Sequence, residues 1–252
     1  GTLTRLDPDR QLDMTDQLHT LVQQDLRNAV DKILRTSADH LRLMRPVIRI
    51  LGHTHPAWAL SLAQSLNTQE RRDAAVFECI RSHIELPADK LDWDYILQCL
   101  TYIRDLRLRD AAKLSIVEEL AHKDSLDLPP KAVSLLEPDL YDEMDRCEFC
   151  CYALLLLHRS KFPDANAENM AEALDISWRK IPSLMHRIDV GFRITSLLST
   201  WSRDMAISYL NRTRELAHRG TDDDILFLCL KLAIRAYSGL LAQDLADQND
   251  LE

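Results

Sequence analysis

The sequence predicts an all-α fold, a right-handed α-solenoid of stacked antiparallel helix hairpins with about ten to twelve helices. Three observations predict it. The 252 residues are 46% apolar and 28% charged with only 5 Gly and 9 Pro, the make-up of a helical globular chain with few residues for tight turns between strands. A segment of the chain repeats itself at an offset of 37 residues. No stretch alternates polar and apolar residues in the manner of a half-buried strand.

The repeat is seen by writing residues 58–80 above residues 95–117 without gaps. Arg72-Asp73-Ala74-Ala75 then falls on Arg109-Asp110-Ala111-Ala112, Trp58 on Tyr95, Leu60 on Leu97, Ala63 on Leu100, Leu66 on Ile103, Phe77 on Leu114 and Ile80 on Val117. In the first half of each unit Ala59, Ala63, Leu66 and Ile96, Leu100, Ile103 recur at the spacing of one helix face. In the second half Ala75, Cys79, Ile80, Ile84 and Ala112, Ile116, Val117, Leu120, Ala121 trace another stripe. Each unit therefore reads as a helical hairpin, turning at Asn67 to Glu70 and at Arg104 to Leu106. The paired alanines let two helix axes approach closely where the hairpin shuts. Arg72, Asp73, Arg109 and Asp110 are the structural-repeat residues, expected to tie that helix to its neighbour through ion pairs or loop carbonyls.

Other elements follow from weaker signals. Thr15 to Leu34 and Ala38 to Leu51 read as helices, the second closed by Gly52. A degenerate third copy is placed at Ile181 to Ser199, with Ile188 and Asp189 as its turn and Arg193 in the Arg109 position. A last hairpin spans Arg203 to His218 and Asp222 to Leu241, with Gly220 past a helix end and Thr221 to Asp224 opening the next helix. Pro129-Pro130 is the strongest break, so residues 1–127 and 128–252 read as two continuous halves of repeats. Gly1-Thr2 and Leu251-Glu252 read as junction residues, which leads us to expect a piece excised from a larger protein.

The paired pattern of residues 57–123 resembles the degenerate helical-hairpin repeats of HEAT and tetratricopeptide type. In particular it resembles those that follow the nucleotide-binding module of STAND-class signalling ATPases. The likeness is clear over 57–123 and faint over 181–241. The tetratricopeptide set of Trp, Leu-Gly, Tyr, Ala and Pro at fixed positions is not met, and the resemblance carries no catalytic residues to transfer.

Motifs of chemistry are sparse. Gly-x-Ser-x-Gly, His-Glu-x-x-His, the phosphate loop and Gly-x-Gly-x-x-Gly are absent. No catalytic, cofactor-binding or metal residues are assigned, and no cofactor is expected. Cys147, Cys150 and Cys151 share one helix face and read as small apolar residues in a core, since a structural zinc site commonly uses two separated ligand pairs. His53 and His55 read as a polar turn, and Asp222 to Asp224 as acids at a helix start. The six cysteines form no disulfide framework, which predicts a reducing, cytoplasmic setting. No apolar run approaches a bilayer's thickness, so membrane insertion is not expected.

Arg42, Arg45 and Arg49 line one side of a helix and are the candidate partner-binding residues. Arg179, Lys180, His186, Arg187 and Arg193 make a second basic cluster. With a net charge of −9, nucleic acid is not the expected partner, and a protein or peptide is. The functional expectation is a non-catalytic interaction scaffold or regulatory helical-repeat domain. A nucleic-acid-binding repeat protein using the basic rows, and an enzyme with a site assembled from scattered residues, stand as alternatives.

Overall fold

The computed structural model describes residues 40–123, 132, 135–160 and 164–219, together with positions 21, 24, 25 and 28. Among the described residues the chain is helical with no strand. Nine α-helices follow in order: α1 His40–Thr54, α2 Pro56–Gln64, α3 Gln69–Ile84, α4 Trp93–Tyr102, α5 Leu106–Ala121, α6 Glu143–Ser160, α7 Asp164–Lys180, α8 Leu184–Leu198 and α9 Arg203–His218. A 3-10 turn at Ala88–Lys90 precedes α4.

α2 folds back on α3, and α7 lies along α6. α1 packs on α3, α3 on α5, α5 on α6 and α6 on α8, with α9 closing against α8. The reason lies in where small and apolar side chains stand. Ala75 and Ala112 are fully buried, as are Cys79, Ile80, Ile116 and Val117 about one turn on. One contiguous core results.

The α6 helix sits deepest. Every residue from Cys147 to Leu157 except Glu148 is buried, because α5, α7 and α8 all pack against it. A helix apolar nearly all round is one that neighbours cover, and Tyr152 to Leu157, the densest apolar run of the sequence, belongs to this core. No helix among the described residues is long and apolar enough to cross a membrane.

Position 127 does not interrupt the packing. Lys113 pairs with Asp139, Tyr152 Oη reaches Glu118 at 3.3 Å, and Arg159 donates to the Ala121 carbonyl at 2.6 Å, each contact crossing it.

Two expectations are corrected. α1 does not close at Gly52 but runs on to Thr54, with Gly52 inside the helix where α3 crosses. A Cβ there would lie 1.8 Å from Ser82 Oγ and 2.9 Å from Ser82 Cβ, so glycine is needed for close approach rather than for a turn. Ile188 and Asp189 are not a turn either, since α8 passes straight through them. The second helix of the hairpin expected from Asp222 to Leu241 and the helix from Thr15 to Leu34 lie outside the described residues, four positions of the latter excepted.

Candidate functional site

The corner at the start of each second arm is where the structural-repeat residues stand. Asp73, 2% exposed, accepts from two backbone N–H groups of the next unit, Arg104 at 3.2 Å and Asp105 at 2.9 Å. Its other oxygen accepts from Gln69 Nε2 at 2.6 Å. Asp110, 37 residues later, accepts from the backbone N–H of Tyr141 at 2.8 Å. Each carboxyl thus reaches out of its own hairpin and holds the turn that begins the following helix, satisfying amides that would otherwise be left without partners.

The arginine beside it faces the other way, into its own hairpin. Arg72 donates to the Leu66 carbonyl at 2.8 Å and to Gln69 Oε1 at 3.1 Å. Arg109 holds the same register, but its Nε is buried with no hydrogen-bond partner, and the carbonyl bond is not made there. Two further arginines do make it, Arg146, which no sequence motif marks, and Arg187, which the sequence shows only as part of a basic cluster. Arg146 donates to the Leu140 carbonyl and, at 2.9 Å, to Glu143. Arg187 donates twice to the Ile181 carbonyl, from Nε at 3.0 Å and from Nη2 at 2.5 Å.

Four corners therefore share one string: a buried apolar residue, a capping side chain two places on and an arginine four places after that. The strings run Leu66-Thr68-Arg72, Ile103-Asp105-Arg109, Leu140-Asp142-Arg146 and Ile181-Ser183-Arg187. Thr68 accepts from Arg71 N, Asp105 from Leu108 N, Asp142 from Met144 N and Asp145 N, and Ser183 from His186 N, each capping the helix it starts. The third string is hidden in the sequence, because Cys147-Glu148-Phe149 stands there in place of Asp-Ala-Ala. The fourth was read six residues too late, with Arg193 in the position that Arg187 occupies; Arg193 instead pairs with Asp189 at 3.4 Å.

Clefts open beside these corners. One of about 650 Å³ is lined by Glu70 and Asp73 of α3 and by Arg104, Arg107, Leu108 and Ala111 on the α5 side. A second, of about 440 Å³, is lined by Arg107 and Asp110 of α5 and by Tyr141, Asp142, Met144 and Asp145. The two are in register, yet their linings differ: Arg104 gives way to Tyr141, Arg107 to Met144 and Leu108 to Asp145. Tyr141 is 79% exposed. Burial raises the Asp145 carboxyl, with Asp142 and Asp110 adding to it. Burial also raises Glu148, against the opposing pull of Arg193 4.0 Å away.

The basic rows are mostly spoken for within the chain. Arg45 pairs with Glu78 at 3.5 Å and Arg49 with Glu85 at 2.6 Å, so these candidate partner-binding residues join α1 to α3 while staying about half exposed. Arg42 lies on α1, and its side chain is outside what is described. His53 joins Glu85 at 3.4 Å. In the second cluster Arg179 pairs with Asp175 at 2.6 Å and Arg187 is used in its corner. Asp222 to Asp224 lie outside the described residues.

Among the described residues no three His, Cys, Asp or Glu side chains converge as a metal set. Cys79, Cys99, Cys147, Cys150 and Cys151 are free and buried. Burial pushes the Cys79 and Cys150 thiols up to about 12 and raises the other three as well. Since the thiolate is the reactive form, these five should alkylate in the folded protein at pH 8 about a hundredfold more slowly than in denaturant. Peptide-resolved mass spectrometry after iodoacetamide checks this, and rapid labelling of Cys147 or Cys150 would contradict it.

No family model matches the chain, and no curated protein or solved structure matches it either.

Proposed function

We propose that the chain is a non-catalytic interaction scaffold, a HEAT- or tetratricopeptide-like repeat region of a larger protein, whose stacked hairpins form an α-solenoid with a docking edge along its corners. The observation that carries this reading is the contrast between two sets of positions in the same repeat. The skeleton positions repeat: the buried apolar residue, the cap and the arginine four places on. The positions lining the in-register clefts diverge, from Arg104 and Leu108 to Tyr141 and Asp145. A repeat that keeps its frame and varies its lining offers an extended surface with different chemistry at each step, which is how solenoids select protein partners.

The intramolecular pairing of Arg45, Arg49 and Arg179 supports a protein or peptide over nucleic acid, because phosphate binding would have to displace those carboxylates. Asp145 and Glu148, both raised by burial, favour a partner that brings a basic side chain, whose charge would offset the cost of keeping them ionised. The STAND-class assignment rests on the likeness of residues 57–123 alone.

The test is affinity purification with the intact chain and with an Arg107→Ala/Tyr141→Ala variant. Both line clefts, and neither side chain makes a skeleton bond, since Tyr141 holds Asp110 through its backbone N–H alone. One protein retained by the parent through moderate salt and lost from the variant is the expected result. Equal retention by both would sink the docking edge, and binding to heparin that disappears with modest salt would favour the nucleic-acid alternative.

A further inference from the structure

Among the buried polar side chains, His83 has both ring nitrogens turned toward the backbone of other elements. It is 2% exposed near the end of α3. Its Nε2 accepts from the backbone N–H of Asp92 at 2.8 Å, and its Nδ1 faces the Gly52 carbonyl of α1 at 3.5 Å. The ring lies against Tyr95 of α4, centroids 4.8 Å apart. An acceptor at Nε2 requires the proton at Nδ1, so the neutral ring donates toward α1 and accepts from the residue that starts α4. Asp92 is that helix's cap: its carboxylate accepts from Tyr95 N at 3.1 Å. One imidazole therefore joins α1, α3 and the entry to α4.

We propose that His83 is a proton-operated latch on the start of α4, closed when the ring is neutral and opened when it takes up a proton. Protonation places an N–H at Nε2 facing the Asp92 N–H, two donors with no acceptor between them. The Asp92 amide has to withdraw, and the Asp92 carboxylate, whose charge already acts on the ring, is an acceptor for the new N–H. The carboxylate then leaves Tyr95 N for the imidazolium, and α4 loses its cap. The turn from Glu85 to Asp92, which holds a single 3-10 turn, takes up the movement.

The groups around the ring set where this happens. Burial pushes the His83 imidazole below its ordinary value of 6.5, and His53 on α1 acts in the same direction. The Gly52 carbonyl and the Asp92 carboxylate act against them. Glu85 at the end of α3 is engaged with His53 and Arg49, and Tyr95 on α4 presents a neutral ring. Because the folded value lies below the unfolded one, the unfolded chain binds the proton more readily. The latch's contribution to stability is therefore present above pH 6.5 and is lost as pH falls through the folded value.

Amide hydrogen exchange of the intact chain, corrected for intrinsic rates, tests the latch at pH 7.5 and pH 5 in the parent and in His83→Gln, whose amide supplies one donor and one acceptor without titrating. Protection of the Asp92 amide is expected to fall about tenfold in the parent at the lower pH and to hold steady in the variant. Unchanged protection in the parent would overturn the proposal, as would an equal fall in the variant. Should the variant not fold, the ring 15N shifts of the parent decide: Nε2 bare at pH 7.5 and protonated together with loss of Asp92 protection supports the latch, and a ring carrying its proton on Nε2 at pH 7.5 refutes it.

Discussion

Asp73→Ala is expected to destabilise the folded chain by about 3 kcal/mol, the largest loss of any single polar truncation in the corners. The side chain is buried and accepts from Arg104 N, Asp105 N and Gln69 Nε2. Truncation takes the carboxylate acceptor from two backbone N–H groups of the next unit at the edge of the cleft, where water restores only part of what these charge-assisted bonds supply. Asp110→Ala removes one such bond, to Tyr141 N, and is expected to cost about half as much. Asp73→Asn, which keeps an acceptor oxygen, should fall between the parent and the alanine variant. Urea denaturation of the three variants reads the order directly; equal midpoints for Asp73→Ala and the parent would remove the tie between units.

Gly191→Ala is expected to be destabilising by about 2 kcal/mol, although the same change in an open helix would stabilise it by about half that amount. The sign is decided by space. A Cβ at Gly191 would stand 2.2 Å from Thr213 Oγ1, 3.0 Å from Thr213 Cγ2 and 3.1 Å from Trp178 Cζ2. Thr213 is fully buried with its hydroxyl on the Tyr209 carbonyl, and Trp178 is fixed by its bond to the Arg187 carbonyl at 2.8 Å and by Tyr209 against its ring. Neither neighbour can give way without moving α8 away from α9. Adding Thr213→Ala removes the two closest atoms, so the double variant should recover most of the loss. A Gly191→Ala chain more stable than the parent would show that the two helices do not meet as described.

The helices of residues 57–121 were legible because the string Arg-Asp-Ala-Ala recurs 37 residues on, and helix-period stripes flank both copies. The third unit was not, for two reasons rooted in its residues. Its tie to the next unit is gone, since Cys147 stands where Asp73 and Asp110 stand, and the small pair that marks the close helix approach is replaced by Glu148-Phe149. Its described residues ahead of α6 carry no long apolar helix stripe either: Ala132, Leu135 and Leu136 are 3-10, and 137–140 have no regular structure. What survives is the cap and the arginine, a signal of two letters that becomes visible once the carbonyl bond explains why an arginine must stand there.

The site was less legible than the fold. Arg45 and Arg49 read as a basic stripe because a helix face shows charge without showing what faces it, and Glu78 on α3 and Glu85 just past its end lie more than 30 residues away in sequence. The clefts are formed between units, so Tyr141 and Arg107 have no local pattern that marks them. His83 was passed over because its two partners are backbone groups, which no side-chain motif encodes.

The central claim, that the Asp73 and Asp110 carboxyls each hold the turn of the following unit, is tested most directly by amide exchange at Arg104, Asp105 and Tyr141. Beyond any uniform change, Asp73→Ala should release Arg104 and Asp105 while sparing Tyr141, and Asp110→Ala should release Tyr141 while sparing the other two. Loss of protection at all three amides alike in either variant, or at none, would contradict it.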